Sequence, residues 1–148
     1  MAITKRTKKC DFKSCKKNAA LKQRFCYGHV NKVTIDKFLS RAYSWMNSRT
    51  RGKNTRRPDL YLGLPILPKD VFINWAKNHP EFLKLYKRWF SNNFDRRLTP
   101  TVNRMNPSKG YTLDNIEWMT NSQNCGLSSV VQSMKKKKAI YDLLGMSK

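Results

Sequence analysis

The sequence predicts an α+β fold with four parts: a Cys/His knuckle over residues 1–33, a helical and basic middle over 34–92, a strand–loop–strand–helix module over 93–128, and a basic C-terminal helix or tail over 129–148. Three observations predict it. Three of the four cysteines fall within the first 26 residues, with a histidine just behind them. Apolar residues then recur at helical spacing through the middle of the chain. Towards the C-terminus that spacing gives way to alternation interrupted by turn residues. A hydrophobic content of 39% is too high for a wholly disordered basic tail, so a core is expected.

Charge narrows the partners. Thirty-one Lys+Arg against nine Asp+Glu give a net charge of +22, which points to a polyanion and first to nucleic acid. The opening MAITKRTKKC has no apolar segment of the secretory kind, and the greasiest stretch, Leu60 to Leu67, is short and carries Gly63 and Pro65. A cytoplasmic monomer without membrane association is therefore expected.

The knuckle is read from the spacing C-x4-C-x10-C-x2-H formed by Cys10, Cys15, Cys26 and His29. Three thiolates and one imidazole suit zinc rather than magnesium or calcium. Four protein ligands leave no position for a water, so the ion is expected to be structural and to stabilise a segment too short to bury a core. The alternative is a set of reduced, unpaired cysteines beside an incidental histidine. Lysines and arginines around the knuckle, among them Lys8, Lys9, Lys16 and Lys17, would clamp phosphates. Cys125 lies far away and is expected to be a small buried residue.

Thr34 can cap a helix whose apolar stripe is Ile35, Phe38, Leu39, Ala42, Trp45 and Met46, ending near Arg51-Gly52. The run from Arg49 to Arg57 carries Arg49, Arg51, Lys53, Arg56 and Arg57 without an acid, and is expected to reach DNA; a solubilising loop is the alternative. Leu60 to Leu67 reads as short extended pieces. Helical spacing resumes over Asp70 to Asn78. Pro80 opens a further helix with Phe82, Leu83, Leu85, Tyr86, Trp89 and Phe90 on its apolar face. His79 lies between the two.

Leu98 to Met105 alternates as a strand does, Pro107 to Gly110 is turn material, Ile116 to Met119 is a second strand, and Thr120 can cap a helix through Asn124. The phrase KGYTLDNIEWMTNSQN within this module resembles the ββα-metal core of HNH endonucleases, in the phage and homing-endonuclease branch where the frame reads roughly KGYTxDNIxWVTxxxN. Many members of that branch also begin with a Cys/His knuckle followed by a W-M-x-S-R phrase, here Trp45, Met46, Ser48 and Arg49.

The resemblance implies roles position by position. Asn103 matches the metal-ligating acid and Arg104 the general-base position. Asn115 matches the asparagine that fixes the loop and orients the base, and Asn124 the helix residue completing the metal site. It implies double-stranded DNA as partner, Mg²⁺ or Mn²⁺ as catalytic ion, and the cytoplasm of a host cell for a phage-encoded chain. The branch usually ends its first strand in Asp-His or Asp-Arg, whereas this chain has Asn103-Arg104. Asparagine removes an anionic ligand, and a guanidinium offers no proton acceptor. Asp95, Asp114, Glu117, expected on the strand face of Asn115, and His79 are the nearby groups with the chemistry to compensate. Lys109 in the turn and Lys135, Lys136, Lys137 and Lys138 in the tail add phosphate contacts. Three functions follow: an HNH-type DNA endonuclease or nickase, a catalytically degenerate DNA-binding protein on the same fold, and a basic zinc-containing RNA-binding protein.

Overall fold

A computed structural model describes residues 8–12, 15–19, 25–30, 32–127 and 133–134. The tail lysines Lys135 to Lys138 lie outside the described residues. Helices supply most of the regular structure and a two-stranded antiparallel sheet the rest, so the fold is α+β. Among the described residues no helix is long and apolar enough to cross a membrane.

A single turn, α1 (Tyr27–Val30), follows Cys26. The long helix α2 (Ile35–Thr50) buries Phe38, Leu39 and Met46. Thr34 stands at its N-cap position but makes no side-chain cap hydrogen bond. Trp45, expected in the core, is instead 45% exposed, because α2 buries a narrower face than the full apolar stripe. Gly52 ends the helix with φ +70°, a conformation that glycine adopts without a Cβ clash.

Leu60 to Leu67 does not form the extended pieces expected. A 3-10 turn spans Pro58–Leu60 and further turns carry the chain to Gly63. The one extended feature is a parallel bridge of Ile66 to Tyr111, with Tyr111 N–H donating to the Pro65 carbonyl at 2.8 Å and Leu67 N–H to the Tyr111 carbonyl at 2.9 Å. The apolar run is used for packing under a turn, a choice local spacing does not reveal.

Helices α3 (Lys69–Asn78) and α4 (Pro80–Ser91) follow, with Pro80 at the start of α4 where its missing N–H costs nothing. Helix α4 buries Phe82, Leu85, Tyr86 and Trp89, while Leu83 and Phe90 are partly exposed. Strands β1 (Pro100–Arg104) and β2 (Ile116–Thr120) pair in the register Val102 to Trp118, Asn103 to Glu117 and Arg104 to Ile116. Both alternate buried and half-buried positions, and the Trp118 ring lies 4.6 Å from that of Phe82, docking the sheet on α4. Asp95 caps the 3-10 turn Arg96–Leu98, accepting from Arg97 N–H at 2.9 Å and from its guanidinium at 3.1 Å.

Arg97 holds the Asp95 carboxyl below its ordinary range, through side-chain and backbone hydrogen bonds. The sign follows from linkage: a depressed carboxyl stabilises the fold above about pH 4, and that stability is lost as pH falls through its folded value. Residues 121–127 form helix α5. Its start is a reciprocal capping box: Thr120 N–H donates to Gln123 Oε1 at 2.9 Å and Gln123 N–H to Thr120 Oγ1 at 3.2 Å.

Candidate functional site

The four knuckle residues converge. Lys9 bridges Asn18, and Cys10 N–H donates to the Lys17 carbonyl at 3.0 Å, so the two short segments lie side by side. His29 N–H donates to the Cys26 carbonyl at 2.9 Å, which curls the third segment and turns Cys26 and His29 to one side. His29 Nδ1 lies 3.4 Å from Cys10 Sγ and 3.5 Å from Cys26 Sγ, and the Cys15 and Cys26 sulfurs are 3.9 Å apart. All four ligand atoms fall within 4.8 Å of one another.

Bonds of about 2.3 Å to sulfur and about 2.0 Å to nitrogen place tetrahedral ligands ~3.8 Å (S–S) and ~3.6 Å (S–N) apart. The cluster therefore has the dimensions of a site for a metal such as zinc, and 3.9 Å is far beyond a disulfide bond of about 2.0 Å. The Cys10 thiol is pulled down to about 6: burial raises it, but backbone hydrogen bonds from Cys26 and Phe12 and side-chain ones with His29 and Cys15 outweigh burial.

Phe12 seats the knuckle on the core. Its ring stacks at 4.7 Å on Phe94 and lies 4.3 Å from the His29 ring. Asn93 and Phe94 both have positive φ, 53° and 60°, so a bulky buried side chain is held on left-handed backbone just after α4. Packing by Phe12, His29 and Trp89 fixes it there. Phe12 was not singled out in the sequence, because nothing local distinguishes a docking aromatic from an exposed one.

In the strand–loop–strand segment, Asn115 is a buried knot. Its Nδ2 donates to the carbonyls of Asn106 (3.1 Å) and Gly110 (2.8 Å), and its Oδ1 accepts from Asn106 N–H (2.9 Å). One amide thus closes the 106–110 loop with three hydrogen bonds. Replacing it by alanine strands three backbone groups, with an expected loss of about 2–4 kcal/mol. Asn115→Asp should cost as much despite its equal size, since a carboxylate cannot donate to two carbonyls. Urea denaturation of both variants checks this; an aspartate variant as stable as wild type would overturn it.

The strand alternation turns Asn103 and Arg104 to opposite faces. Arg104 is 9% exposed: its guanidinium lies 4.2 Å from the Tyr61 ring and 5.4 Å from Tyr111, and Nη1 donates to the Lys109 carbonyl at 3.1 Å. Arg49 approaches the same Tyr61 ring at 5.7 Å. Burial pushes the Tyr111 phenol up, against the lowering effect of Arg49. These tyrosines were missed from sequence, although Tyr111 stands inside the KGYT phrase. Asn103 is half-buried and its Nδ2 donates to Glu117 Oε1 at 2.9 Å. Glu117 therefore shares a face with Asn103, across the strand pair, rather than with Asn115.

Asn124 lines a cleft of about 560 Å³ between α2, β1 and α5. Lys32, Arg41, Arg49 and Arg96 also line it, and among the described residues no Asp or Glu does. Thr101, on the same face of β1 as Asn103, lines it as well, while Asn103 itself does not.

Of the expected DNA contacts, Arg51, Lys53 and Arg56 are exposed on the turns after α2, as is Lys109 in the 106–110 loop. Arg57 is committed otherwise, gripping Asp59 at 3.1 and 2.8 Å through two guanidinium nitrogens. The acid lies two residues beyond the run, which is why the run itself looked unneutralised. Asp114 is held low by hydrogen bonds from Thr112 and its own backbone. The His79 ring lies tilted 4.8 Å from that of Trp75, and none of its ring or hydrogen-bond contacts is with Asn103 or Arg104. Cys125, expected buried, is exposed, with Sγ 3.9 Å from Asn121 Oδ1, because it falls on the outer side of α5. Compared with protein-family models, curated proteins and solved structures, the chain matches none.

Proposed function

We propose that the chain is a DNA endonuclease or nickase of the HNH type that hydrolyses phosphodiester bonds with Mg²⁺ or Mn²⁺. The observation that carries this reading is the Asn115 knot, which closes the loop between β1 and β2 directly ahead of a capped helix. That arrangement agrees with the role the resemblance gives to Asn115. The cation-lined cleft and the net charge of +22 support a polyanionic substrate. A zinc ion in the knuckle serves a structural role.

Asn103 and Asn124 are the residues the resemblance assigns to the catalytic ion. When bound, a divalent ion supplies charge neutralisation at the scissile phosphate and leaving oxygen. The chain's own part is binding and orientation. Arg104 forms no ion pair with any described acid, so its charge is left for a phosphate oxygen to neutralise. Asn115 keeps the loop that carries the Lys109 carbonyl, and so Arg104, in place. Arg51, Lys53 and Arg56 hold the backbone of the duplex to either side.

A specific observation favours a second reading, a DNA-binding protein that no longer cleaves: the Arg104 guanidinium is committed to Tyr61, Tyr111 and a carbonyl, with no imidazole contact beside it. Incubation of the protein with supercoiled plasmid in Mg²⁺, Mn²⁺ or EDTA separates the two. Metal-dependent nicking that falls about 100-fold in Arg104→Ala and Asn124→Ala is the expected result. A wild-type chain that retards plasmid in low salt and never cuts it would establish the second reading.

A further inference from the structure

Glu117 is one of nine acids in a chain with 31 cations. Asp36, Asp59, Glu81 and Asp95 each pair with a lysine or arginine. Asp70 occupies the first turn of α3, where the helix N-terminus favours a carboxylate. Glu117 has neither: among the described residues it forms no ion pair, and its partner is the side-chain amide of Asn103. It is half-buried on the sheet face away from Val102, Arg104 and Trp118, at the position directly across from Asn103.

We propose that Glu117 supplies, from the neighbouring strand, the anionic oxygen that asparagine at 103 withholds, so that Glu117 and Asn103 together form the divalent-cation site of the β1–β2 face. This rests on the nuclease reading above for its purpose, though not for its test. The geometry gives the reason. A side-chain amide that donates through Nδ2 to Oε1 leaves its own Oδ1, and the second carboxylate oxygen of Glu117, as acceptors on the same face. A hard cation of the Mg²⁺ or Mn²⁺ type takes oxygen ligands only, and one carboxylate with an amide oxygen is enough where substrate phosphate completes the shell. Register-opposed residues on one sheet face hold their Cβ atoms about 5 Å apart, so the two oxygens reach one ion without bending either strand. The site thus carries the charge of an Asp at 103, displaced by one strand.

The test reads the ion's position as well as activity. Glu117→Gln keeps an oxygen to accept from Asn103 and removes only the charge, so the fold should persist. In ¹⁵N-labelled, zinc-loaded full-length protein, Mn²⁺ should broaden the Asn103 side-chain amide and the Glu117 backbone amide. In Glu117→Gln the Mn²⁺ concentration needed should rise about tenfold or more. Adding Asn103→Asp to that variant moves the carboxylate back across the strand pair and should restore the response. Broadening unchanged in Glu117→Gln, or none at these amides in wild type, overturns the proposal. Plasmid nicking run in parallel distinguishes the two failures. Mn²⁺ bound at Glu117 without nicking removes the nuclease reading and leaves the site. Nicking indifferent to Glu117→Gln, with broadening unchanged, does the reverse.

Discussion

Gly110→Ala should lower the melting temperature by about 10 °C, the effect expected of roughly 3 kcal/mol in a domain of this size. A Cβ at Gly110 would stand 2.0 Å from the Pro65 carbonyl oxygen and 2.8 Å from its carbon. Neither atom belongs to a flexible side chain, so the two chain segments must separate. Separation breaks the paired bonds of Tyr111 with Pro65 and Leu67, which tie the 106–110 loop to the stretch before α3. Gly126 provides the contrast: an added Cβ meets nothing within 4 Å, and alanine there should be neutral or stabilising by up to about 1 kcal/mol. Calorimetry of the two variants side by side settles the matter. Equal melting temperatures would show that the Pro65 contact yields freely.

Cys26→Ser should have a comparable reach by a different route. It removes one of four ligand atoms from a buried position, and structural zinc sites are worth on the order of 10 kcal/mol to the segment they organise. The purified chain should carry one zinc per molecule by elemental analysis; the variant should carry far less. Treating wild type with a strong chelator should make the first 33 residues sensitive to protease while α2 to β2 remain protected. Cys125→Ser, which alters an exposed sulfur outside the cluster, should behave as wild type. Full zinc occupancy and unchanged protease resistance in Cys26→Ser would sink the assignment of these ligands.

Much of this was legible in the residues, for physical reasons that differ from element to element. Helices α2, α3 and α4 were visible because the core imposes a 3.6-residue period on whatever packs against it. The α5 cap was visible because an N-terminal Thr needs its partner three positions on. The metal cluster was visible because ligands on short chain segments must be closely spaced. Contacts between distant segments were not. The tyrosine pair around Arg104 joins residues 61 and 111 to 104, and only the folded chain brings them together. Leu60 to Leu67 shows the same limit: an apolar run specifies burial without specifying whether strand or turn delivers it. Trp45 shows that a position on an apolar stripe does not specify what faces it. The Asn103–Glu117 pair needed the register, which a one-residue slip would have destroyed.

Phe94 stands between the knuckle and the cleft and contacts both. One side of its ring receives Phe12 and His29; the residue also lines the cleft beside Lys32 and Arg96. Its left-handed backbone is held by packing from both neighbourhoods. Filling either site therefore restrains the same residue, and linkage makes the benefit mutual by the same factor. If zinc fills the knuckle and a polyanion the cleft, each should raise the affinity for the other by the same factor.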